Sequence, residues 1–334
     1  MSEVRIGLIG CGGMGTELGR NVGKVGPPAS VVAACDILED RRCALATELG
    51  ATPIASADEL LAREDVDAVI VAVPNYLHSP IAVAAAKAGK HVYSEKPMAL
   101  FVEDCTAMID ACKAAGVKLM VGHVLRYIGA FRLAADHVRK GDIGEPGAIA
   151  ITRIGTLNYG GAAAEWRNKD ETSGGYIFEV HVHELDYMRS VMGEPEEVYS
   201  SAAKFVPRSA GDFEDIQSVT AWFEKGRIAQ LLAGNSSPSG MYNAYIQGSE
   251  GEIVFNGWSG ITLRRFDEEA REISAPENAP NPVAEELGDF VTSIVTDCEP
   301  AVPGEEGRRS VAYARAAVMS GRERRPVRIS ELLP

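Results

Sequence analysis

Up to Val121, strand-like apolar runs alternate with helical stretches, and this alternation constrains the fold more than any other feature of the sequence. The runs that read as strands are VRIGLIG, SVVAACD, VDAVIVAVP, HVYSE and VKLMV. Strands that are apolar on both faces are typical of a parallel sheet covered by helices on both sides. This part of the chain therefore predicts an α/β domain built on a parallel sheet.

After Val121 the pattern changes to long strand-like runs joined by hairpin-length turns, among them GAIAITRIGTLN, IQSVTAWFEKG and NAYIQGSEGEIVF. Only the stretch from Gly174 to Val191 interrupts these runs with a helical period, and two further helical stretches end the chain. A length of 334 residues also favours two domains over one. We predict an α/β domain at residues 1–122 and an α+β domain with a mostly antiparallel open sheet at residues 123–334. The last helix is a candidate for packing back on the first domain.

The composition excludes several classes of partner. Acidic residues outnumber basic ones 47 to 33, which gives a net charge of −14. Because nucleic acids and anionic membranes both attract a basic face, neither is an expected partner. The six cysteines show neither CxxC spacing nor a disulfide framework, as is typical of a reducing compartment. With no secretory leader before Val4 and no apolar run long enough to cross a membrane, a cytoplasmic protein is expected.

The turn GCGGMG follows the first strand and opens a helix, with Gly10, Gly12 and Gly15 in GxGxxG spacing. Glycines at these positions let the backbone approach a pyrophosphate, whose charge the helix N-terminus stabilises. Asp36 ends the second strand, where an acidic residue can bind a ribose hydroxyl. The turn therefore predicts a Rossmann domain that binds a dinucleotide. Its candidate cofactor contacts are Gly10, Gly12, Gly13, Met14 and Gly15.

The choice between NAD and NADP depends on Asp36 and on the arginines that follow it. A carboxylate accepts a hydrogen bond from the ribose 2′-hydroxyl of NAD and repels the 2′-phosphate of NADP. Arg41 and Arg42 could bind that phosphate, although two such arginines are also typical of a solvated helix face. NAD is the expected cofactor, with NADP as the alternative and Arg41 as a candidate contact.

Two polar segments, PNYLHSP and SEKP, follow the third and fourth predicted strands. Open α/β sheets bind ligands outside the carboxyl ends of their strands, so both segments are expected near the cofactor. Lys96 could hold a substrate oxygen there or share its proton, but a solvated loop lysine would look the same in the sequence. The candidate cofactor contacts in these segments are Pro74, Asn75, His78, Glu95 and Lys96.

The combination of GCGGMG, PNYLH, SEKP and GGYIFEVHVHELD resembles the glucose–fructose oxidoreductase / inositol dehydrogenase / MocA (Gfo/Idh/MocA) family over essentially the whole chain. The resemblance implies NAD(P)-dependent oxidation or reduction of sugars and polyols, and a homo-oligomer (dimer or tetramer) formed through the open sheet. The family's catalytic lysine falls on Lys96, and its D-x-x-x-H-x-x-D pattern falls on Glu179, His183 and Asp186. This chain has Glu at the first position of that pattern and His181 where the family commonly has glycine.

The secondary structure of this last segment decides what its residues can do. In a helix, Glu179, His183 and Asp186 share one face and His181 points away from Glu179, so the two histidines would not bind one metal ion. In a strand, residues 179, 181 and 183 would share a face and a metal site would be arguable. We expect a helix that holds no metal and acts in catalysis or substrate binding, with a purely structural helix as the alternative. His181 is expected to pack in the interior or at the rim.

The implied reaction assigns a role to each catalytic candidate. His183 would take a substrate hydroxyl proton, because a pKa near ~6.5 suits a base at neutral pH. Lys96 would stabilise negative charge on the substrate oxygen, and Glu179 would orient the substrate or the imidazole. The candidate substrate contacts are Lys96, Arg126, Tyr127, Asn158, Trp166, Arg167, Glu179 and His183.

Two other functions also fit the resemblance. One is a glycoside-cleaving enzyme that oxidises its substrate transiently with bound NAD and shows no net NADH production. The other is a non-catalytic, cofactor-binding regulator. The presence of Lys96 and His183 argues against the regulator, since a sensor does not need these groups.

Overall fold

A computed structural model describes residues 3–156 and 163–333 of the chain. The chain forms two compact units. The first comprises residues up to Val124 together with Pro280–Arg308, and the second comprises Leu125–Ala279 together with residues from Arg309 onward. Each unit is built on its own β-sheet.

The sheet of the first unit has six strands in the order β3-β2-β1-β4-β5-β6, and its recorded pairings are all parallel. The strands are β1 Val4–Ile9, β2 Ala29–Cys35, β3 Thr52–Ile54, β4 Ala68–Val71, β5 His91–Glu95 and β6 Leu119–Gly122. The central strand β4 is buried along its whole length, as expected for a strand covered on both faces. The predicted α/β domain with a parallel sheet is confirmed.

Helices of the first unit begin and end where local signals indicate. They include α1 Gly13–Asn21, α2 Glu39–Leu49, α3 Ala57–Leu61, α4 His78–Lys87 and α5 Val102–Ala115. Gly50 ends α2 in a left-handed conformation with φ +68°, which glycine adopts without strain. The Ser56 hydroxyl accepts a hydrogen bond from the Glu59 amide at 3.2 Å and so caps α3.

The sheet of the second unit has nine strands in the order β14-β13-β12-β11-β7-β10-β9-β8-β15. The strands are β7 Pro146–Ile154, β8 Pro195–Ala203, β9 Ile216–Phe223, β10 Arg227–Gly234, β11 Met241–Gly248, β12 Gly251–Phe255, β13 Gly260–Arg265, β14 Arg271–Ser274 and β15 Val327–Arg328. In the described part of the chain, β7 and β10 pair in parallel and the other recorded neighbours are antiparallel. The prediction of a mostly antiparallel sheet is confirmed.

One helical segment of the second unit combines two kinds of turn. The helices α6 Gly129–Arg139, α7 Ala164–Arg167 and α8 Asp170–Ser173 precede it. A π-turn, Ile177–His181, then leads directly into α9, Val182–Met192. Helix α9 packs against α6, β7 and β10, and the Tyr187 hydroxyl donates to the Phe131 carbonyl at 3.0 Å. The predicted helical period in this stretch is confirmed, with a π-turn that the sequence did not indicate.

The last two helices of the chain are α10 Pro282–Thr296 and α11 Gly304–Glu323. Helix α10 belongs to the first unit, where the Tyr93 hydroxyl donates to the Glu286 carboxylate at 2.9 Å. A Cβ atom on Gly288 would lie 2.8 Å from the Val25 carbonyl oxygen, so α10 needs glycine at this close approach. The division between the two units falls inside α11.

Two further properties bear on the chemistry of the chain. Within residues 3–156 and 163–333, no helix combines the length and the apolar character that crossing a bilayer requires. All six cysteines are free, and four of them, Cys11, Cys35, Cys105 and Cys112, are buried. Burial raises the pKa of the Cys11 thiol to about 12, so this thiol beside the glycine turn stays protonated at neutral pH.

Candidate active site

Three polar segments lie at the carboxyl edge of the first sheet. The glycine turn follows β1, PNYLH follows β4 and SEKP includes the end of β5, and these three strands are neighbours in the parallel sheet. Because parallel strands end at the same edge, the segments lie where open α/β sheets bind ligands. Asn75 is buried there, whereas Pro74 and Lys96 are partly exposed. The structure thus brings the cofactor candidates and Lys96 to one edge of the first unit.

The glycine turn is closed at its ends and open in its middle. Gly10 has φ +100°, and a Cβ atom there would lie 2.2 Å from the Ala72 carbonyl oxygen. A Cβ atom on Gly15 would lie 1.8 Å from the Gly10 carbonyl oxygen. A Cβ atom on Gly12 or Gly13 would meet nothing within 4 Å. The outer glycines are therefore needed for packing, and the inner ones leave space for a phosphate at the start of α1.

Asp36 is held against the glycine turn by backbone hydrogen bonds. Its Oδ2 atom accepts from the Cys11 amide at 2.8 Å, and its Oδ1 atom accepts from the Leu38 amide at 2.8 Å. Each carboxylate oxygen has a second lone pair, so the group can still accept from a ribose hydroxyl. The residues at this edge therefore fit a dinucleotide whose adenosine ribose lies beside Asp36.

The two arginines after Asp36 differ in their surroundings. The Arg42 Nη1 atom donates to the Asp36 and Ile37 carbonyls at 3.4 Å each, and its Nη2 atom lies 3.6 Å from Glu39. Arg41 is exposed on the first turn of α2. Arg42 thus contacts the backbone of its own loop, and the Asp36 carboxylate is the charged group next to the turn.

His78 links the two loops that follow β4 and β5. It is buried, with Nδ1 2.7 Å from the Pro97 carbonyl oxygen and Nε2 2.9 Å from the Val73 carbonyl oxygen. The buried Glu95 carboxylate accepts from the Lys96 amide at 3.2 Å. These contacts fix the backbone that carries Lys96, so His78 and Glu95 position this loop from within the protein.

The stretch Gly175–Arg189 is buried at every position except His183, which is partly exposed. A buried helix is ordinarily apolar, yet this one contains several charged or titratable side chains. They are Glu179, His181, Glu184, Asp186 and Arg189. Each buried charge must therefore have a partner, and His183 stands apart from the others by its access to solvent.

Glu179 pairs with an arginine from the preceding helix. Its Oε1 atom lies 2.9 Å from Arg167 Nε, and only 6% of the Glu179 side chain is exposed against 31% for Arg167. The Arg167 guanidinium carbon also lies 5.0 Å from the centre of the Trp166 ring, within the range of a cation–π contact. The structure thus brings together three of the residues that the sequence identified as substrate candidates.

His181 faces the interior beside a buried ion pair. Its Nδ1 atom lies 3.5 Å from Glu184 Oε2, and Glu184 Oε1 lies 2.7 Å from Arg153 Nη1. Burial lowers the pKa of His181, which favours the neutral imidazole. Among residues 3–156 and 163–333, no group of three or more His, Cys, Asp or Glu side chains is arranged to hold a metal ion.

Asp186 and Arg126 form a two-point ion pair. Arg126 donates from Nε and Nη2 to the two Asp186 oxygens, at 2.8 Å each, and the Ser310 hydroxyl donates to Asp186 Oδ1 at 2.8 Å. Asp186 is fully buried, so the pair fixes the orientation of the Arg126 guanidinium from the protein interior. Of the remaining substrate candidates, Tyr127 is partly exposed and Asn158 lies outside the described residues.

The sequence did not identify Arg153 or Ser310 as part of this site. Both contact α9 from distant parts of the chain, 31 residues before Glu184 and 124 residues after Asp186. Arg153 is a charged residue within the largely apolar strand β7, and this contrast could have identified it as a candidate site residue. Ser310 carries no comparable signal, because serine is common on helices of every kind.

Comparison with known protein families covers both units. Residues 4–123 match the family described as an oxidoreductase family with an NAD-binding Rossmann fold, and residues 131–254 match the GFO/IDH/MocA C-terminal domain. The resemblance found in the sequence motifs is therefore confirmed across the greater part of the chain.

Individual relatives match over longer spans. The myo-inositol 2-dehydrogenase of Thermotoga maritima is 30% identical over 99% of this chain and 100% of its own length. The 2,7-anhydro-N-acetylneuraminate hydratase of Escherichia coli is 33% identical over 75% of this chain and 67% of its own length. The aldose–aldose oxidoreductase of Caulobacter crescentus, solved with glycerol, is 25% identical with a TM-score of 0.89 over 98% of this chain and 100% of that one. The chain therefore belongs to the GFO/IDH/MocA oxidoreductase family, and its first unit is an NAD-binding Rossmann domain.

Proposed function

We propose that the protein is an NAD-dependent oxidoreductase that transfers hydride between nicotinamide and a hydroxyl or carbonyl of a sugar, sugar derivative or cyclitol. The observation that carries this proposal is the access of His183 to solvent within the otherwise buried stretch Gly175–Arg189. A histidine presented in this way suits proton transfer to or from a hydroxyl. The substrate class is supported by relatives named as an inositol dehydrogenase and an aldose oxidoreductase.

The proposed mechanism divides the chemistry among three side chains. The nicotinamide supplies the hydride acceptor or donor when it is bound. His183 accepts the hydroxyl proton during oxidation and returns it during reduction. Lys96 stabilises the negative charge that develops on the substrate oxygen. Glu179, held by Arg167, orients the substrate relative to the imidazole.

The cofactor is proposed to be NAD, with the pyrophosphate at the glycine turn and the ribose at Asp36. The open space at Gly12 and Gly13 and the N-terminus of α1 suit a phosphate. The Asp36 carboxylate disfavours the 2′-phosphate of NADP by charge repulsion. Arg41 is the residue that could offset this repulsion if NADP were used.

A second candidate function is supported by one of the relatives. The Escherichia coli protein is named a hydratase of an anhydro-sugar, which supports in part the alternative of a glycoside-cleaving enzyme that uses NAD transiently. Such an enzyme would regenerate its cofactor in each cycle. A purely regulatory, cofactor-binding protein is the third alternative, and the presence of Lys96 and His183 disfavours it.

The direct test is absorbance at the reduced-nicotinamide band. Purified protein is incubated with NAD or NADP and a panel of free sugars, inositols, sugar acids, anhydro-sugars and glycosides, and each mixture is analysed for products. We expect NADH to form with NAD and a member of the sugar or cyclitol panel, and NADPH to form more slowly with NADP. Product without net NADH would indicate transient redox chemistry, and no product with tight NAD binding would favour the regulator.

We further propose that the protein forms a homo-oligomer, a dimer or a tetramer, through the outer face of the second sheet. Large apolar side chains are exposed on this face, where Trp222 of β9 pairs directly with Ile228 of β10. Tyr199 and Met241 extend the same face onto β8 and β11. Burial of such a patch favours association. Light scattering should give the mass of an oligomer, and a monomeric mass would contradict the proposal.

A further inference from the structure

The buried helical segment of the second unit carries three carboxylates, together with Arg189, which pairs with Asp186 and Glu194. Each of its three carboxylates contacts an arginine from a different element of the fold. The pairs are Glu179 with Arg167 at 2.9 Å, Glu184 with Arg153 at 2.7 Å and Asp186 with Arg126 at 2.8 Å. The three arginines that contact the segment Ile177–Met192 therefore each have a carboxylate of the segment as partner.

In every pair the carboxylate is buried more deeply than the arginine. The exposed fractions of the arginine side chains are 31% for Arg167, 26% for Arg153 and 19% for Arg126. The corresponding carboxylates are 6% exposed or fully buried. A ligand that contacts any one of these arginines meets a guanidinium already paired with a more deeply buried carboxylate. It does not meet a cluster of uncompensated positive charge.

Arg167 is the most accessible of the three arginines and is held by two contacts. Its Nε atom lies 2.9 Å from Glu179 Oε1 in an ion pair, and its guanidinium lies over the Trp166 ring. A ligand carboxylate that took Arg167 for itself would leave the Glu179 charge buried without its partner. Separating a buried ion pair in this way is strongly unfavourable. An uncharged hydroxyl can bind beside the pair without breaking it.

We propose that Glu179 determines the substrate class: by neutralising Arg167, it makes the site accept uncharged sugars or cyclitols and reject sugar acids. This inference rests on the proposed function of the same site. It also separates this chain from its hydratase relative, whose named substrate, an anhydro-neuraminate, is an acid. Glu179 thus acts by cancelling the charge of Arg167 as well as by orienting the substrate.

The test is calorimetric and uses matched ligand pairs that differ by one carboxylate. Dissociation constants of D-glucose against D-glucuronate, and of D-galactose against D-galacturonate, are measured with NADH present for wild type and for Glu179→Gln. Glutamine keeps the shape of Glu179 but leaves the Arg167 charge uncompensated. We expect the uronate to bind roughly tenfold more tightly in Glu179→Gln, as a charged hydrogen bond implies, while wild type favours the neutral sugar.

Two control variants separate this explanation from a general effect of charge. Glu252→Gln removes a carboxylate that lies 3.0 Å from Arg264 on the second sheet, so it changes the net charge equally and should not alter the ratio. Adding Arg167→Met to Glu179→Gln should abolish the gain. Two results would overturn the inference. One is a wild-type preference for uronates. The other is uronate binding that is no tighter in Glu179→Gln than in wild type, including binding that is undetectable in both. Failure of the proposed redox function would instead appear as absent turnover, which these binding ratios do not measure.

Discussion

Replacement of His183 by alanine is expected to lower kcat by roughly 10²–10⁴-fold, the usual contribution of a positioned general base. His183 is the one partly exposed side chain in the buried stretch Gly175–Arg189, so its removal takes away the proton acceptor and leaves the ion pairs of the segment in place. Because the nucleotide contacts are proposed to lie in the first unit, the dissociation constant of NAD should not change. The part of the pH dependence of kcat that comes from the imidazole should also disappear in this variant.

Initial rates with the substrate found in the panel give kcat, and quenching of protein fluorescence gives the affinity for NAD. His137→Ala is the matched control, since this histidine of α6 pairs with Asp142 at 2.5 Å and has no proposed role in the chemistry. The control should retain the wild-type rate. A His183→Ala variant that is as active as this control would show that another group takes the proton.

Replacement of Lys96 by methionine is expected to lower kcat by roughly 10²–10³-fold, the effect typical of removing one group that stabilises a developing oxyanion. Methionine retains much of the side-chain volume and removes the charge. Lys96 follows β5 on the edge that also carries the glycine turn, and its backbone is fixed by Glu95. Lys96→Arg should recover part of the rate, because it restores a positive charge with a different shape.

The control for this prediction is Lys87→Met, which removes an exposed lysine at the end of α4 in the same unit. It should leave both kcat and NAD affinity unchanged. A Lys96→Met variant with wild-type kcat would contradict the assignment. A variant that loses NAD affinity in proportion to its rate would show that Lys96 binds the cofactor and does not act on the substrate.

The fold of the first unit follows from short-range features of the sequence. The glycine turn, the apolar strands and the caps at Ser56 and Gly50 each depend on a few adjacent residues. The glycine turn and the five predicted apolar strands lie where the sequence analysis expects them. The strand β3 escaped prediction because it has only three residues, two of them exposed, at the edge of the sheet. A strand of three residues is too short to show a regular alternation of apolar and polar positions.

The site in the second unit depends on contacts that no local pattern encodes. The helical period of the stretch from Gly174 to Val191 indicated a helix, but not the π-turn that contains Glu179. A π-turn differs from an α-turn by one backbone residue per hydrogen bond, and a sequence period of this length cannot distinguish them. Likewise, Ser310 reaches Asp186 across 124 residues of chain, a separation at which only the folded structure shows a partner.

The return of Pro280–Arg308 to the first unit has a consequence for the order in which a ribosome can complete the protein. In helix α10, Gly288 packs against Val25 and the Glu286 carboxylate accepts a hydrogen bond from the Tyr93 hydroxyl. This helix is synthesised after every strand of the second sheet except β15. Domains generally fold as their sequence emerges during translation. Here the nucleotide-binding unit begins first but cannot finish until translation has passed α10. A nascent chain therefore carries an incompletely covered first unit through the synthesis of nearly all of the second.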